Sequence, residues 1–419
     1  MLEGRTRQLI VASWVVLGIL AIGSKADAPD SGEAGLPESL PAVSDSGTIP
    51  VSEPPAASTT QKPTTTTEAQ TTTTEAPRAA SLAFTGDVLV HSRVWRTAAV
   101  HGAEVGADYD FAPMFEPIAE VIDGVDWAVC HMEVNLAADD SRLSSYPVFR
   151  APGTIASDLA RVGYDSCSTA SNHSLDGRVS ATYETIEVLE ASDLHHTGTA
   201  RSAEESESSI WIEVNGISIA HLSYSYGFNG ARVPSDQPWA ANLIDQERIL
   251  SDVAAARLSG AEVIILSLHW GEQYIHQPNS QQAALGPLLL ASPDVDLIIG
   301  HHAHVVQPIE LIDGEWLVYG LGNAVSNQLQ LPRRDELLVT ATLIEQPDNS
   351  FDIDLEVLPL HLDTETLTLW PSGPDLQTDE MSDQLVATLD ASWLRTLAVL
   401  ETGSGWDHFE LVGGESIPR

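Results

Sequence analysis

Short apolar runs alternate with amphipathic stretches from residue 81 to about residue 360. Runs at 82–84, 127–129, 167–170, 263–268 and 297–299 have strand length. Between them, Val179, Tyr183, Ile186 and Leu189 are spaced for one face of a helix that starts near Gly177. Helices are also predicted over 246–258 and 281–290, each just before a strand, and further strands over 216–223 and 316–319. This alternation predicts a layered α/β fold. After residue 360 the pattern weakens to one helix at 383–400 and a polar tail.

The ends of the five apolar runs change the picture. They lead to Asp87, Glu133, Asn172, His269 and the segment Gly300-His301-His302-Ala303-His304. In open α/β sheets, ligands bind beyond the carboxyl ends of the strands. Carboxylate, amide oxygen and imidazole placed there repeatedly predict one shared polar site for a divalent transition metal or a pair of them. Three imidazoles within four residues are the most specific local signal, and extended alternation would send His302 and His304 to one side and His301 to the other. The other clusters are ambiguous singly. Gly86-Asp87 is also a common turn. Asn172-His173 with Asp176 also suits a helix cap, although His173 beside a ligand can move a proton.

The 419 residues carry 60 acidic and 19 basic side chains, for a formal charge of −41. That balance argues against nucleic-acid binding, which rests on phosphate neutralisation, and it also simply keeps a secreted protein soluble. Cys130 and Cys167 form no C-x-x-C pair, so a zinc knuckle is not expected; they read as buried thiols, or as a disulfide if their strands are neighbours.

Residues 1–28 read as a signal peptide or an N-terminal membrane anchor: Arg5 and Arg7 precede an apolar run, and Ala26-Asp27-Ala28 offers a cleavage pattern. Residues 29–79 are a Thr/Pro/Ser-rich linker, too polar to bury a core. The folded domain is expected over 80–360 and a partly helical extension over 361–419. The expected location is extracytoplasmic, either secreted or anchored to the cell membrane.

In order and spacing, FTGD (84–87), DWAVCHME (126–133), FRAP (149–152), GYDSCSTASNHSLDG (163–177), HWGEQY (269–274), GHHAHVVQPIE (300–310) and YGLGNAVSNQ (319–328) resemble the bacterial CapA family. Those are capsule-synthesis proteins linked to poly-γ-glutamate, similar to calcineurin-like metallophosphoesterases. The resemblance implies a four-layer α/β/β/α metallophosphoesterase-like sandwich. It implies two divalent ions (manganese, iron, zinc or magnesium) on Asp87, Glu133, Asn172, His269, His302 and His304. Glu133 would bridge, His173 would be the general acid, and His301 would sit just behind the ligands or support the loop. Arg150 and Arg178 are candidate substrate contacts. The chain departs from the pattern in places. Leu89 stands where the superfamily has the histidine of Asp-x-His, with His91 two residues further on. His131 replaces the asparagine of Asn-Leu-Glu, Gln273 replaces a glutamate, and Ala324 replaces an aromatic residue. The implied function is phosphoesterase-like hydrolysis of a cell-envelope polymer or phosphoester in capsule biosynthesis. The alternatives are a non-catalytic accessory subunit of a capsule-synthesis membrane complex that assembles or exports the polymer, and a plain binding module.

Overall fold

A computed structural model describes residues 76–414. The expected signal or anchor segment and most of the linker lie outside the described residues. Among those residues, one sheet contains β1 (Ala79–Val88), β2 (Trp127–Met132), β5 (Ser166–Ser168), β6 (His195–Thr197), β13 (Asp335–Glu345), β14 (Phe351–Leu362), β15 (Leu369–Pro371) and β16 (Glu410–Leu411). Its order is β15-β14-β13-β1-β2-β5-β6, with β16 beside β14. The second sheet runs β11-β12-β10-β9-β8-β7, from β7 (Trp211–Val214), β8 (Ile217–Ser225), β9 (Val263–His269), β10 (Leu297–His301), β11 (Ile309–Ile312) and β12 (Glu315–Val318). The short pair β3 (Leu136–Ala137) and β4 (Ala151–Pro152) stands apart.

Three apolar layers stack these sheets. The outer face of the first packs on α1 (Ser92–Val105), α2 (Glu116–Asp123), α3 (Thr154–Val162) and α4 (Arg178–Ala191) through Val94, Ile118, Leu159 and Leu189. The outer face of the second packs on α6 (Gln246–Leu258) and α7 (Ser280–Leu290) through Val253 and Leu289; the short α5 (Ala203–Ser208) precedes β7. Between the sheets, Leu82, Phe84, Val129 and Val339 meet Ile219, Ile265 and Ile299. The architecture is therefore a four-layer α/β/β/α sandwich. Strands covered on both faces read as continuous apolar runs, which is why 263–268 was legible. The helices start at identifiable caps: Asp245 accepts from the Arg248 N–H, and Asn279 forms a capping box with Gln282.

The boundary expected at residue 360 falls inside β14. Beyond it, α8 (Asp383–Leu400) forms over the predicted span, and Trp393, Leu400, Phe409 and Leu411 sit in the layer between the sheets. Burying each such side chain contributes about 1.5–3 kcal/mol, so this stretch is part of the sandwich interior. The buried face of α4 matches the expected one in part, with Ile186 and Leu189 buried. Ala181, Thr185 and Leu189 face inward while Val179 and Tyr183 are half-buried, because the Thr185 hydroxyl accepts from the Leu136 N–H at 2.9 Å.

β2 and β5 are parallel neighbours with Cys130 opposite Cys167, and the two are joined as a disulfide. β1, β2 and β5 run parallel, as do β8, β9, β10 and β12. Strand parity then aims the site. His131 keeps the phase of Val129, His269 that of Ile265, and His301 that of Ile299, so all three continue the inter-sheet face past its apolar part.

Two glycines permit this edge to close. A Cβ on Gly86 would lie 2.3 Å from the Gly322 carbonyl oxygen, and one on Gly300 would lie 1.9 Å from that of Tyr319. Gly300→Ala is expected to destabilise the fold by about 3 kcal/mol, since the obstacle is backbone. Urea unfolding would check this; an unchanged midpoint would contradict it.

Candidate metal centre

Where the inter-sheet layer meets solvent, the apolar side chains give way to a buried polar cluster. β1 carries a register shift between Phe84 and Asp87. The Gly86 N–H donates to Glu336 at 2.6 Å and the Asp87 N–H to the Gly322 carbonyl at 2.9 Å, which turns the Asp87 carboxylate inward. Burial pushes the Glu336 carboxyl well above the usual range. Asp87 accepts from the His302 N–H at 3.1 Å, lies 2.9 Å from His304 Nδ1 and is fully buried. Burial alone would raise its pKa, but the His301 and His304 imidazoles beside it outweigh this and hold it well below the usual carboxylate range.

Glu133 follows β2. Neither of its carboxylate oxygens has a hydrogen-bond partner, although the residue is 1% exposed. Burial pushes it up to about 7. Beyond β5, the Ser171 hydroxyl donates to the Glu133 carbonyl and braces the turn that presents Asn172 and His173. Asn172 Oδ1 lies 2.9 Å from His269 Nε2. His302 Nδ1 is likewise buried without a partner. Burial holds His131 and His269 well below the ordinary imidazole value and His302 at about 3, so all three are neutral and carry lone pairs. Burial also opposes protonation of His304, but Glu133 and Asp87 beside it raise it.

The expected extended alternation does not hold past His301. β10 ends there, and His302 and His304 have positive φ, 84° and 55°. Both rings still enter the cluster, 5.8 Å apart, because the left-handed backbone replaces the pleat. Such conformations are costly for non-glycine residues and collect at functional sites. Asn323 secures the bend by accepting from His304 Nδ1 at 2.9 Å and donating to its carbonyl at 3.3 Å.

The structure thus brings together Asp87, Glu133, Asn172, His269, His302 and His304. Ligand atoms of Glu133, His269 and His302 lie within 4.8 Å of one another, as do those of Asp87, Glu133 and His304. Neutral imidazoles with lone pairs, an amide oxygen and carboxylate oxygens lacking donors fit divalent cations, and the shared Glu133 suits a pair. Asp87, His131 and His301 are equally close together. However, the His131 and His301 rings stack at 4.0 Å and 12°. Lone pairs in parallel ring planes do not converge on one ion, so we do not count His131 as a ligand.

A cleft of about 640 Å³ opens beside this cluster, lined by Asn172, His173, Asp176, Tyr226, Glu272, Gln273 and His302 among others. His173 is 7% exposed, and its Nδ1 lies 2.7 Å from Asp176 Oδ2. The two arginines expected at the substrate do not line it. The Arg150 guanidinium pairs with Glu184 instead, in a largely buried ion pair. Arg178 opens α4 and is exposed. Leu89 is buried among apolar side chains, and His91 Nδ1 faces the Leu89 carbonyl and the Asn327 N–H, so His91 is occupied at the start of α1. Sequence reading missed His131 and Asn323. Strand phase was the available signal for His131, whereas Asn323 acts from a loop without periodicity.

The sequence pattern described as "Bacterial capsule synthesis protein PGA_cap" matches residues 81–328. The Bacillus anthracis capsule biosynthesis protein CapA is 28% identical over 208 residues, covering 49% of this chain and 49% of that protein. The Bacillus subtilis PGA biosynthesis protein CapA is 27% identical over 197 residues, covering 46% and 51%. The chain therefore spans about half the length of these curated relatives. Among solved structures, the calcineurin-like phosphoesterase YfkN from Bacillus subtilis aligns with a TM-score of 0.39 at 13% identity, covering 77% of this chain and 98% of that one. The family match extends over more than half of the sequence and includes every strand end that feeds the polar cluster, and by it this chain belongs to the bacterial capsule synthesis protein family.

Proposed function

We propose that this protein is an extracytoplasmic, metal-dependent hydrolase of the phosphoester type that acts on a cell-envelope substrate in capsule biosynthesis. The observation that carries the reading is Glu133, a buried carboxylate without a donor, held among the imidazoles of His269, His302 and His304 with Asn172 close by, beside an open cleft. Asp87, Glu133, Asn172, His269, His302 and His304 would hold the ions. Bound divalent ions would supply Lewis-acid activation of water and neutralise charge developing on a phosphoryl group. The chain's own residues do the remaining work. Asp176 orients His173 through Nδ1, which leaves Nε2 to protonate a leaving oxygen in the cleft. Tyr226 packs against His302 at 4.5 Å and shields the cluster from water. The Cys130–Cys167 disulfide supports an oxidising location, as does the export-like sequence start.

Purified protein is expected to carry bound divalent metal and to cleave simple phosphodiesters. Activity should be lost on chelation and restored by added metal. Protein that takes up no metal under any condition would overturn the reading. A second reading, an accessory subunit of polymer assembly or export, is favoured by the withdrawal of Arg150 and Arg178 from the cleft. It expects bound metal without turnover, and capsule formation in the native host that survives His173→Ala.

A further inference from the structure

His131 has both ring nitrogens engaged in a buried chain. Ser168 Oγ lies 2.7 Å from His131 Nδ1, and His131 Nε2 lies 2.9 Å from His269 Nδ1. On the far side of the second ring, His269 Nε2 lies 2.9 Å from Asn172 Oδ1. Ser168, His131 and His269 are wholly buried and Asn172 is 2% exposed, so water cannot substitute for any link.

Each neutral imidazole carries one N–H, so the chain has two self-consistent directions. In the first, the Ser168 hydroxyl donates to His131, His131 Nε2–H donates to His269, and His269 Nε2–H donates to Asn172 Oδ1. This satisfies every group but leaves no lone pair on His269 Nε2. In the second, His269 Nδ1–H donates to His131 Nε2, and His131 Nδ1–H donates to the Ser168 hydroxyl. His269 Nε2 then presents a lone pair beside Asn172 Oδ1. Two acceptors at 2.9 Å repel one another unless a cation lies near both. The first direction therefore belongs to the metal-free protein and the second to the metal-bound one.

We infer that His131 is a positioning residue that sets the tautomer of His269, and that metal capture reverses the direction of hydrogen bonding along Ser168–His131–His269. The inference rests on the metal-centre reading above. Reversal keeps the proton count of the chain: the Nε2 proton of His131 passes to His269 Nδ1 and the Ser168 hydroxyl proton to His131 Nδ1, while the Nε2 proton of His269 leaves to solvent as the metal enters and solvent returns one to the serine oxygen. His269 exchanges Nε2–H for Nδ1–H, His131 exchanges Nε2–H for Nδ1–H, and the serine hydroxyl turns from donor to acceptor. No net proton is released by this chain. Without His131, the metal-bound tautomer of His269 would bury an N–H with no acceptor.

The test compares zinc affinity, by competition with a chromophoric chelator, in the wild-type protein, His131→Leu and His131→Gln. Glutamine can place an acceptor oxygen where the distal imidazole nitrogen sits; leucine cannot. His131→Leu is expected to lose about 10–100-fold in affinity, the usual cost of removing a partner of a ligating histidine. His131→Gln is expected to stay within a few-fold of wild type. Nitrogen-15 spectra of histidine-labelled wild-type protein should show His269 changing from the Nε2–H to the Nδ1–H tautomer when zinc is added. Equal affinity in all three proteins, an equal loss in both variants, or a His269 tautomer unmoved by zinc would each overturn the proposal. If His131→Leu fails to fold, the glutamine variant and the wild-type spectra still decide. Wild-type protein that binds no zinc would instead defeat the metal-centre reading.

Discussion

Glu133→Gln is expected to make the metal-free protein more stable at pH 8 while abolishing its hold on metal. The two effects share a cause. Burial lifts the Glu133 carboxyl from its ordinary 4.5 to about 7, and both oxygens lack hydrogen-bond donors. For a group raised in the folded state, the stability it contributes is complete below the unfolded value and is lost as pH rises through the folded one. Above about pH 7 the fold therefore bears an ionised carboxylate that burial disfavours. A rise from 4.5 to about 7 corresponds to roughly 3 kcal/mol. That net rise already includes the opposing pull of His304, whose Nε2 lies 3.8 Å away. Glutamine keeps the shape and removes the charge, so a gain of about 1–3 kcal/mol at pH 8 is expected, shrinking toward zero at pH 5. Loss of metal affinity should exceed the roughly 100-fold upper end for outer hydrogen-bond partners. Thermal melts in chelator at both pH values, with elemental analysis, check both halves. A variant that is less stable than wild type at pH 8, or that still retains metal, would refute the account.

The order of ligand types along the chain was readable because the parallel strands of the two sheets end at one edge. An apolar run fixes a strand, and the first polar residue after it marks the tip. That logic reached Asp87, Glu133, Asn172 and His269 without any three-dimensional information. It failed for geometry set by non-periodic backbone. His302 and His304 share a site through positive φ values, 84° and 55°, where alternation foresaw an extended strand. It failed again for Arg150, whose guanidinium is taken by Glu184 on α4, a partner 34 residues away. Beyond residue 360, α8 was legible from its apolar spacing. Its packing was not, because Trp393 and Leu400 fill a layer built from strands far away in sequence. His131 was masked by its setting between apolar residues; its phase with Val129 became informative only when β2 was seen to face β9 and β10 across that layer.

His173→Asn is expected to lower kcat by about 100- to 10,000-fold on a phosphodiester with an alkoxide leaving group, the usual range for loss of a general acid. On a nitrophenyl ester, whose leaving group departs without a proton, the loss should be much smaller. On the proposed hydrolase reading, the geometry favours this histidine for the role. Its ring is fixed from two directions: Asp176 Oδ2 lies 2.7 Å from Nδ1, and Phe149 packs edge-on at 4.7 Å. Asp176 is itself fixed by the Phe149 N–H at 2.7 Å. The dyad leaves Nε2 as the nitrogen able to meet a substrate, and His173 lines the cleft. Of the histidines that feed the metal cluster, His302 also borders the cleft, but all are buried and belong to the groups that would hold the ions, whereas His173 stands outside those groups. Asp176→Asn should give an intermediate loss, because an amide can still orient the ring but places no negative charge beside it. Metal content must remain at the wild-type level in both variants, which separates this step from ion binding. Equal losses on the two esters would show that His173 supports the site without donating a proton.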